Sequence, residues 1–475
     1  MDSAAASAVA IFGLLCLVGN CQPAAAATAE PTLVHIRGKV VSSDAGNNHG
    51  SAAFPLPHAN VSLLRECDGC TCAPSSQRAG SDGAFALTCV GSGIVVLHSW
   101  ARQYVPQNVT FEITPGVGTV PVNVPVRLEP RAIPGFPASR WRFDGWVVQA
   151  ETRDVPTTNI SFLSHPSAYR TPSGRIFMIS TAGSRKGQKP GWTQGYWQSS
   201  DGVSAEACGG GPLIDATHPG VVGVSMSARL VYADGRLLMV SGIEKPTQHR
   251  MVTILENKNV HDPCHSEDWV GVGTVHVNFT GAPTSAHEDY RLHVFEDDDS
   301  ARFSYTCNGA PRKFWLLVIP DGEPGVPGRA CGRMAFAADA LTGPYVWCNW
   351  AVSPNHTACQ AFPGDVLLNR REKKMYFVES YGALFAGKAV GPWPLAFPTM
   401  LPQRLVVPSP RGEWDDLGHV ALTFLPASYG DTRTRLYFAS YSTVSENPNA
   451  TKADFGYKLA IGQFSFQWDD EPASR

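Results

Sequence analysis

The chain has 475 residues, 38 basic and 41 acidic side chains, and a formal charge of −3 at pH 7. That near-neutral balance, without a long run of Lys or Arg, excludes nucleic-acid binding by a charged face. Glycine (45) and proline (37) are frequent, as expected for many short strands joined by turns.

Residues 1–29 read as a secretory signal peptide. Ala8 to Val18 is apolar but short for a bilayer span, and Ala24 to Ala29 offers small residues for cleavage. Asp2 stands where a positive charge is usual. No later apolar stretch reaches spanning length, so the expectation is a soluble, secreted protein without a transmembrane segment. Asn-x-Ser/Thr sequons at Asn60, Asn108, Asn159, Asn278, Asn355 and Asn449 predict a glycosylated surface.

Cys16 and Cys21 fall in the signal. Cys67, Cys70, Cys72 and Cys89 precede a proline-rich segment; Cys208, Cys264, Cys307, Cys331, Cys348 and Cys359 follow it. Both sets are even, so each is expected to pair within its own half in an oxidising compartment, with connectivity open. The close spacing of Cys67, Cys70 and Cys72 also suits zinc, but without a second spaced pair disulfides are the better account.

Residues 30–129 alternate apolar and polar positions in short runs: VHIRGKVV from Val34, ANVSLL from Ala59, GAFALT from Gly83, GIVVLHSW from Gly93 and VPVNVPVRL from Val120. Turn residues separate them, predicting a small β-sandwich. Residues 130–139 form a linker; with prolines and a glycine across Glu129 to Pro137, it is expected to be an extended connector with few ladder bonds.

Residues 140–470 repeat one pattern: an apolar run, a polar turn and a second apolar run. The copies are SAYRTPSGRIFMIST from Ser167, ARLVYADGRLLMVSG from Ala228, YRLHVFEDDDSARFSYTC from Tyr290, DVLLNRREKKMYFVES from Asp365 and VALTFLPASYGDTRTRLYFASY from Val420. Their spacing is close to one four-stranded blade plus loops, and blades must stack around an axis to bury both faces. The fold expected is all-β, an N-terminal β-sandwich followed by a five-bladed β-propeller. The acidic run Glu296 to Asp299 is expected to be an exposed hairpin turn.

The innermost strand of each blade lines a propeller's channel, so the residues opening each first run are the candidates for chemistry. They are His165 in blade one, Ser225 to Ser227 in blade two, and His287, Glu288, Asp289, Tyr290 and Arg291 in blade three. Asp365 opens blade four, and Asp415, Asp416 and His419 open blade five. Glycosidic cleavage needs a carboxylic acid to protonate the leaving oxygen and a second carboxylate as base or nucleophile. Glu288 or Asp289 is the expected proton donor and Asp365 the opposing carboxylate. Arg291, His287, Tyr290 and His419 are expected to bind substrate. His165, His287 and His419 converging on one axis would also make a divalent metal site, though no cofactor is required. Trp192, Tyr196, Trp197 and Trp393 would either stack on sugars or pack between blades.

Two resemblances sharpen these expectations. Gly38-x-Val40, Pro57-x-Ala59-x-Val61, Asp82-Gly83-x-Phe85-x-Leu87 and the closing Val122 to Leu128 resemble the carboxypeptidase regulatory-like or transthyretin-like domain, which implies a positioning module without chemistry of its own. Residues 140 to 468 resemble the five-bladed propeller glycoside hydrolases: the arabinanase and xylosidase families with their fructosidase and mannoside-phosphorylase relatives. Glu288-Asp289-Tyr290-Arg291 is similar to the Glu-Asp-Pro-Arg of the mannoside phosphorylases, and Gly418-His419-Val420 to the Gly-His opening the last arabinanase blade. Ala337 to Tyr345 is similar to their outer-strand Gly-Pro-Trp motif. His165-Pro166-Ser167-Ala168 sits where those families have Asp-Pro-Ser-Val, so the usual base is replaced by histidine. Asp144 is the fallback base. The resemblance implies a glycosidase acting on an oligo- or polysaccharide. The substitution leaves two alternatives: a non-catalytic glycan- or protein-binding propeller, or a lyase using His165, His287 or Tyr290 on a uronic acid. Oligomeric state is not readable.

Overall fold

In the computed structural model, the described residues are 33–43, 53–65, 71–114, 120–149, 160–184, 193–208, 224–233, 235–245, 248–283, 287–294, 306–320, 332–353, 364–369, 372, 374–379, 384–388, 396–411, 413, 415–426, 433–442, 452–453, 456–457 and 460–469. The expected signal peptide, Cys67, Cys70, Cys331, Cys359, Asn159, Asn355, Asn449, Glu296 to Asp299, Trp192 and Trp393 lie outside them. Among the described residues no helix is long and apolar enough to cross a membrane.

Two four-stranded sheets come first. One joins Thr71–Ala73, Ala84–Val90, Leu33–Ser42 and Val120–Leu128; the other joins Ser76–Arg78, Asn60–Arg65, Gly93–Trp100 and Gln107–Ile113. Alternation puts Val34, Ile36 and Val40 of one sheet and Val61, Val95 and Leu97 of the other into a shared apolar core.

Five further sheets follow, each built outward from an inner strand. Blade one runs Ile160–Arg170, Ile176–Ser184, Thr193–Ser199 and Glu206–Ala207. Blade two runs Val224–Ala233, Arg236–Lys245, Gln248–Asn257 and Trp269–Thr274. In blade three His287–Val294, Phe314–Pro320, Arg333–Ala338 and Tyr345–Val352 are joined by a short parallel strand, Val277–Asn278. Blade four comprises Asp365–Asn369, Lys374–Val378, Leu384–Lys388 and Thr399–Met400. Blade five takes three strands from the end of the chain (Gly418–Leu425, Thr434–Tyr441 and Ala460–Trp468) and its fourth, Ala138–Gln149, from before blade one.

The ring closes because the second strand of every blade is apolar on both faces. Ile176 and Met178 pack toward blade five, while Phe177 and Ile179 face blade two. Leu238 and Val240 then meet Leu292 and Leu316 of blade three, and Trp315 and Leu317 meet Met375 and Phe377 of blade four. Tyr376 and Val378 complete the circuit against Leu422 and Leu436 of blade five. Each interface is thus a period-two stripe. The third repeat differs from expectation: the partner of Tyr290's strand is Phe314–Pro320, not the run ending at Cys307. Every residue of Phe314–Pro320 is buried, whereas Thr306–Cys307 forms a separate two-residue ladder with Ala310–Pro311.

The linker also differs. Ile133 and Phe136 are buried in the same core as the N-terminal sheets and blades four and five. Phe136 meets Tyr376, Phe466 and Trp468 edge-on or tilted, at 4.9, 5.6 and 5.3 Å between ring centres. Tyr376 donates its hydroxyl to the Gly135 carbonyl at 3.1 Å. The segment has few ladder bonds, as expected, but it is also a packed wedge, because its apolar side chains gain by burial.

Three disulfides join described residues: Cys72–Cys89, Cys208–Cys264 and Cys307–Cys348. Each stays within its own half of the chain. Cys72, being bonded to Cys89, is not available to zinc beside Cys67 and Cys70.

Candidate functional site at the propeller axis

Four of the five inner strands carry one extra residue at corresponding places. Pairing steps from Ser164↔Thr181 to Ser167↔Ile179 in blade one, and from Met226↔Gly242 to Arg229↔Val240 in blade two. Blade three steps from His287↔Pro320 to Asp289↔Ile319, and blade five from Val420↔Ala439 to Thr423↔Tyr437. Such bulges bend a strand and re-aim its side chains. Here they put His165, Ser227, Glu288 and Ala421 at one level of the ring. His165 (φ 51°) and Ala421 (φ 54°) adopt the left-handed conformation, which residues with a Cβ rarely do. Blade four has no bulge and begins at Asp365↔Val378. Gly364, just before it, leaves no room for a side chain: a Cβ there would lie 1.7 Å from the Val378 carbonyl oxygen.

The first residues paired again beyond the bulges, with Asp365 at the start of blade four, form a second set: Ser167, Arg229, Asp289, Asp365 and Thr423. Asp365 is 1% exposed. Its Oδ1 accepts from Arg229 Nη2 and, at 2.7 Å, from the Val366 amide. Its Oδ2 accepts from Thr423 Oγ1 at 3.0 Å and the Phe424 amide at 2.7 Å. Ser167 Oγ accepts from the Leu230 amide at 3.0 Å, tying blade one to blade two. Blades two and four are not neighbours, so the Arg229–Asp365 bond must cross the axis. It joins two non-adjacent blades just after the bulged residues along the inner strands.

The expected site residues separate on this frame. Asp365 reaches the axis, but four donors take up its two oxygens, which gives it a bracing role. Its expected part as base or nucleophile would therefore have to be played by oxygens that already accept these four bonds. His419 does not line the channel: its Nε2 lies 2.8 Å from Asp415 Oδ2, and its ring stands edge-on to Phe438 at 4.4 Å. The three-imidazole metal site therefore loses one member, and no metal-binding cluster occurs among the described residues. Asp144 bonds Arg142 and Gln463 Nε2 on the outermost strand of blade five, away from the axis. His165 is 3% exposed and sits in the bulge of blade one's inner strand. The backbone of His287, Glu288, Asp289, Tyr290 and Arg291 forms the inner strand of blade three; their side chains, like those of Tyr196 and Trp197, lie outside the described residues.

Sequence reasoning missed two groups. Arg229 occupies the repeat position held by Ser167, Asp365 and Thr423 in other blades, so aligning the copies on their hairpins would have found it. Glu379 directly follows blade four's second strand and is buried, with its Oε1 3.4 Å from Arg333 Nη2 of blade three. Burial pushes its carboxyl up, against the pull of Arg333. It belongs to the gap between blades three and four.

No protein-family model and no curated protein sequence matches the chain. Solved structures to which it is similar include a glycosyl hydrolase from Bacteroides ovatus, at 13% identity and a TM-score of 0.44 over 72% of this chain and 96% of that one. Another is the catalytic domain of a Coprinopsis cinerea GH62 alpha-L-arabinofuranosidase, at 11% identity and TM-score 0.44 over 70% and 98% of the two chains. A third is a family 117 glycoside hydrolase from the marine bacterium Zobellia galactanivorans, at 12% identity and TM-score 0.45 over 72% and 94%.

Proposed function

We propose that the chain is a secreted, glycosylated, carbohydrate-active protein whose axial cup hydrolyses glycosidic bonds of an oligo- or polysaccharide. Residues 1–29 are its signal peptide, 30–129 its sandwich module, 130–139 the linker and 140–470 the catalytic propeller. The observation that carries the reading is the set of one-residue bulges in four inner strands, next to the Arg229–Asp365 bond that joins blades two and four. Glu288 and Asp289 stand at the bulge of blade three's inner strand, and this position supports the reading. One of the two serves as the proton donor, with Arg291, His287 and Tyr290 contacting sugar. Asp365 fixes Arg229 beneath the substrate. His165 stands at the sequence position where an arabinanase-like enzyme has its base; its ring nitrogens are buried in this structure, so the reading requires bound sugar to open the bulge before His165 takes the proton of the attacking water.

The test is single substitution. Glu288→Gln and Asp289→Asn are expected to lower glycan turnover, the donor's replacement by about a hundredfold or more. Unchanged rates in both would remove hydrolysis at this site.

Non-catalytic glycan binding is the second reading. It is favoured by His165 in place of the usual aspartate and by the complete engagement of Asp365. It predicts saturable glycan binding with no sugar released on long incubation.

A further inference from the structure

Arg102, just beyond the strand Gly93–Trp100, leaves the module and enters blade five. Its side chain is 5% exposed and that of Asp415 is fully buried. Arg102 Nε donates to Asp415 Oδ2 at 2.9 Å and Nη2 to Oδ1 at 2.8 Å, a two-pronged pair; Nη2 also reaches Glu413 Oε2 at 3.2 Å. The guanidinium lies 4.3 Å from the centre of the Phe143 ring and 5.4 Å from that of Trp146, both on blade five's outermost strand. Asp415 Oδ2 in turn meets His419 Nε2, so one carboxylate couples the module to the inner strand of blade five.

The same module holds the rest of the segment entering that strand. Gln103 donates to the Leu405 carbonyl, and Arg131 in the linker donates to the Arg404 carbonyl at 3.1 Å. Arg78 meets Glu413 at 3.0 Å. Four and five residues beyond His419, Thr423 and Phe424 supply two of the four donors that fix Asp365 across the axis.

We propose that Arg102 is a positioning residue for the axial cup: through Asp415 and His419 it sets the inner strand of blade five, and through Thr423 that strand sets the Asp365–Arg229 floor. The module is a brace for the site rather than a separately functioning appendage. This rests on the reading of the cup as the glycan site, so one arm of the test is independent of activity.

The experiment compares the full-length chain with Arg102→Met and with the double variant Arg102→Met/Asp415→Leu. The second replaces the pair by apolar groups of similar shape and is expected to fold about as stably as the parent. Amide hydrogen exchange under native conditions is read along Gly418–Leu425 and, as control, along Leu237–Val240 of blade two. Both variants are expected to speed exchange at Gly418–Leu425 by about tenfold or more, leaving the blade-two amides within about twofold. On a glycan that the parent turns over, KM is expected to rise about tenfold with kcat changing less, because ground-state placement is what is lost. Parent-like exchange at Gly418–Leu425 in the double variant would overturn the proposal, since packing alone would then hold the strand. Uniform acceleration across both blades would also overturn it, showing a purely global role. Localised loosening without any change in KM or kcat would overturn the link to the cup while leaving the cup's own activity standing. A parent that turns over no glycan at all would sink the glycan reading, and the exchange arm would still decide the brace.

Discussion

Replacing Asp365 by asparagine is the most informative perturbation of the axis. The carboxylate is 1% exposed and accepts four bonds, one from the guanidinium of Arg229, whose own side chain is only 14% exposed. An amide keeps one acceptor oxygen but turns an NH2 group toward donors that then have no acceptor. It also leaves a mostly enclosed positive charge without its partner. Breaking a buried pair by removing one member costs about 3–5 kcal/mol, and each donor left unsatisfied adds about 1–3 kcal/mol before relaxation. The expected loss is therefore at least about 4 kcal/mol, measured by urea unfolding of Asp365→Asn against the parent. A cycle with Arg229→Met locates that loss. If the two residues are bonded across the channel, the double variant recovers about 1–3 kcal/mol relative to the sum of the singles. A single-variant cost under about 1 kcal/mol, the value of an exposed pair, with no coupling to Arg229, would refute the floor and the cup built on it.

Further predictions follow from other parts of the chain. Phe136→Ala removes the aromatic at the centre of the wedge and is expected to lower stability by about 3–5 kcal/mol in the same unfolding assay. Burial alone would raise the Asp415 carboxyl, but the charge and bonds of Arg102, helped by His419, hold it well below the ordinary 3.8. Its stabilisation is therefore complete above that value and is lost as pH falls below it; urea midpoints should drop below about pH 4, and less steeply in Asp415→Asn. Mass spectrometry after enzymatic deglycosylation should find glycans at Asn108 and Asn278, which are exposed.

Much of the ring was legible from sequence because each blade announces itself twice, by a turn and by two apolar runs. Ser167, Ala228, Asp365 and Val420 all begin or sit within inner strands whose hairpin partners were expected. The third partner was not, because Phe314–Pro320 is reached only after a small ladder that interrupts the pattern. The misplacement of His419 has a simple cause. One inserted residue reverses the alternation of a strand, so the bulge between Val420 and Thr423 separates the facing of His419 from that of Thr423. Nothing in the local sequence marks that bulge. Arg102 and Asp415 were equally hidden: they are 313 positions apart, and only the folded module brings them together. The linker's prolines suggested extension, while Ile133 and Phe136 carried the opposite message of burial.

The central claim is that the axial cup breaks glycosidic bonds, and the most direct measurement is of the products. The chain, incubated with a panel of neutral and acidic polysaccharides, is predicted to generate new reducing ends without new ultraviolet absorbance from an unsaturated sugar, and Glu288→Gln/Asp289→Asn to generate none. Saturable binding to a glycan with no reducing ends from the parent, or equal release by parent and double variant, would contradict it.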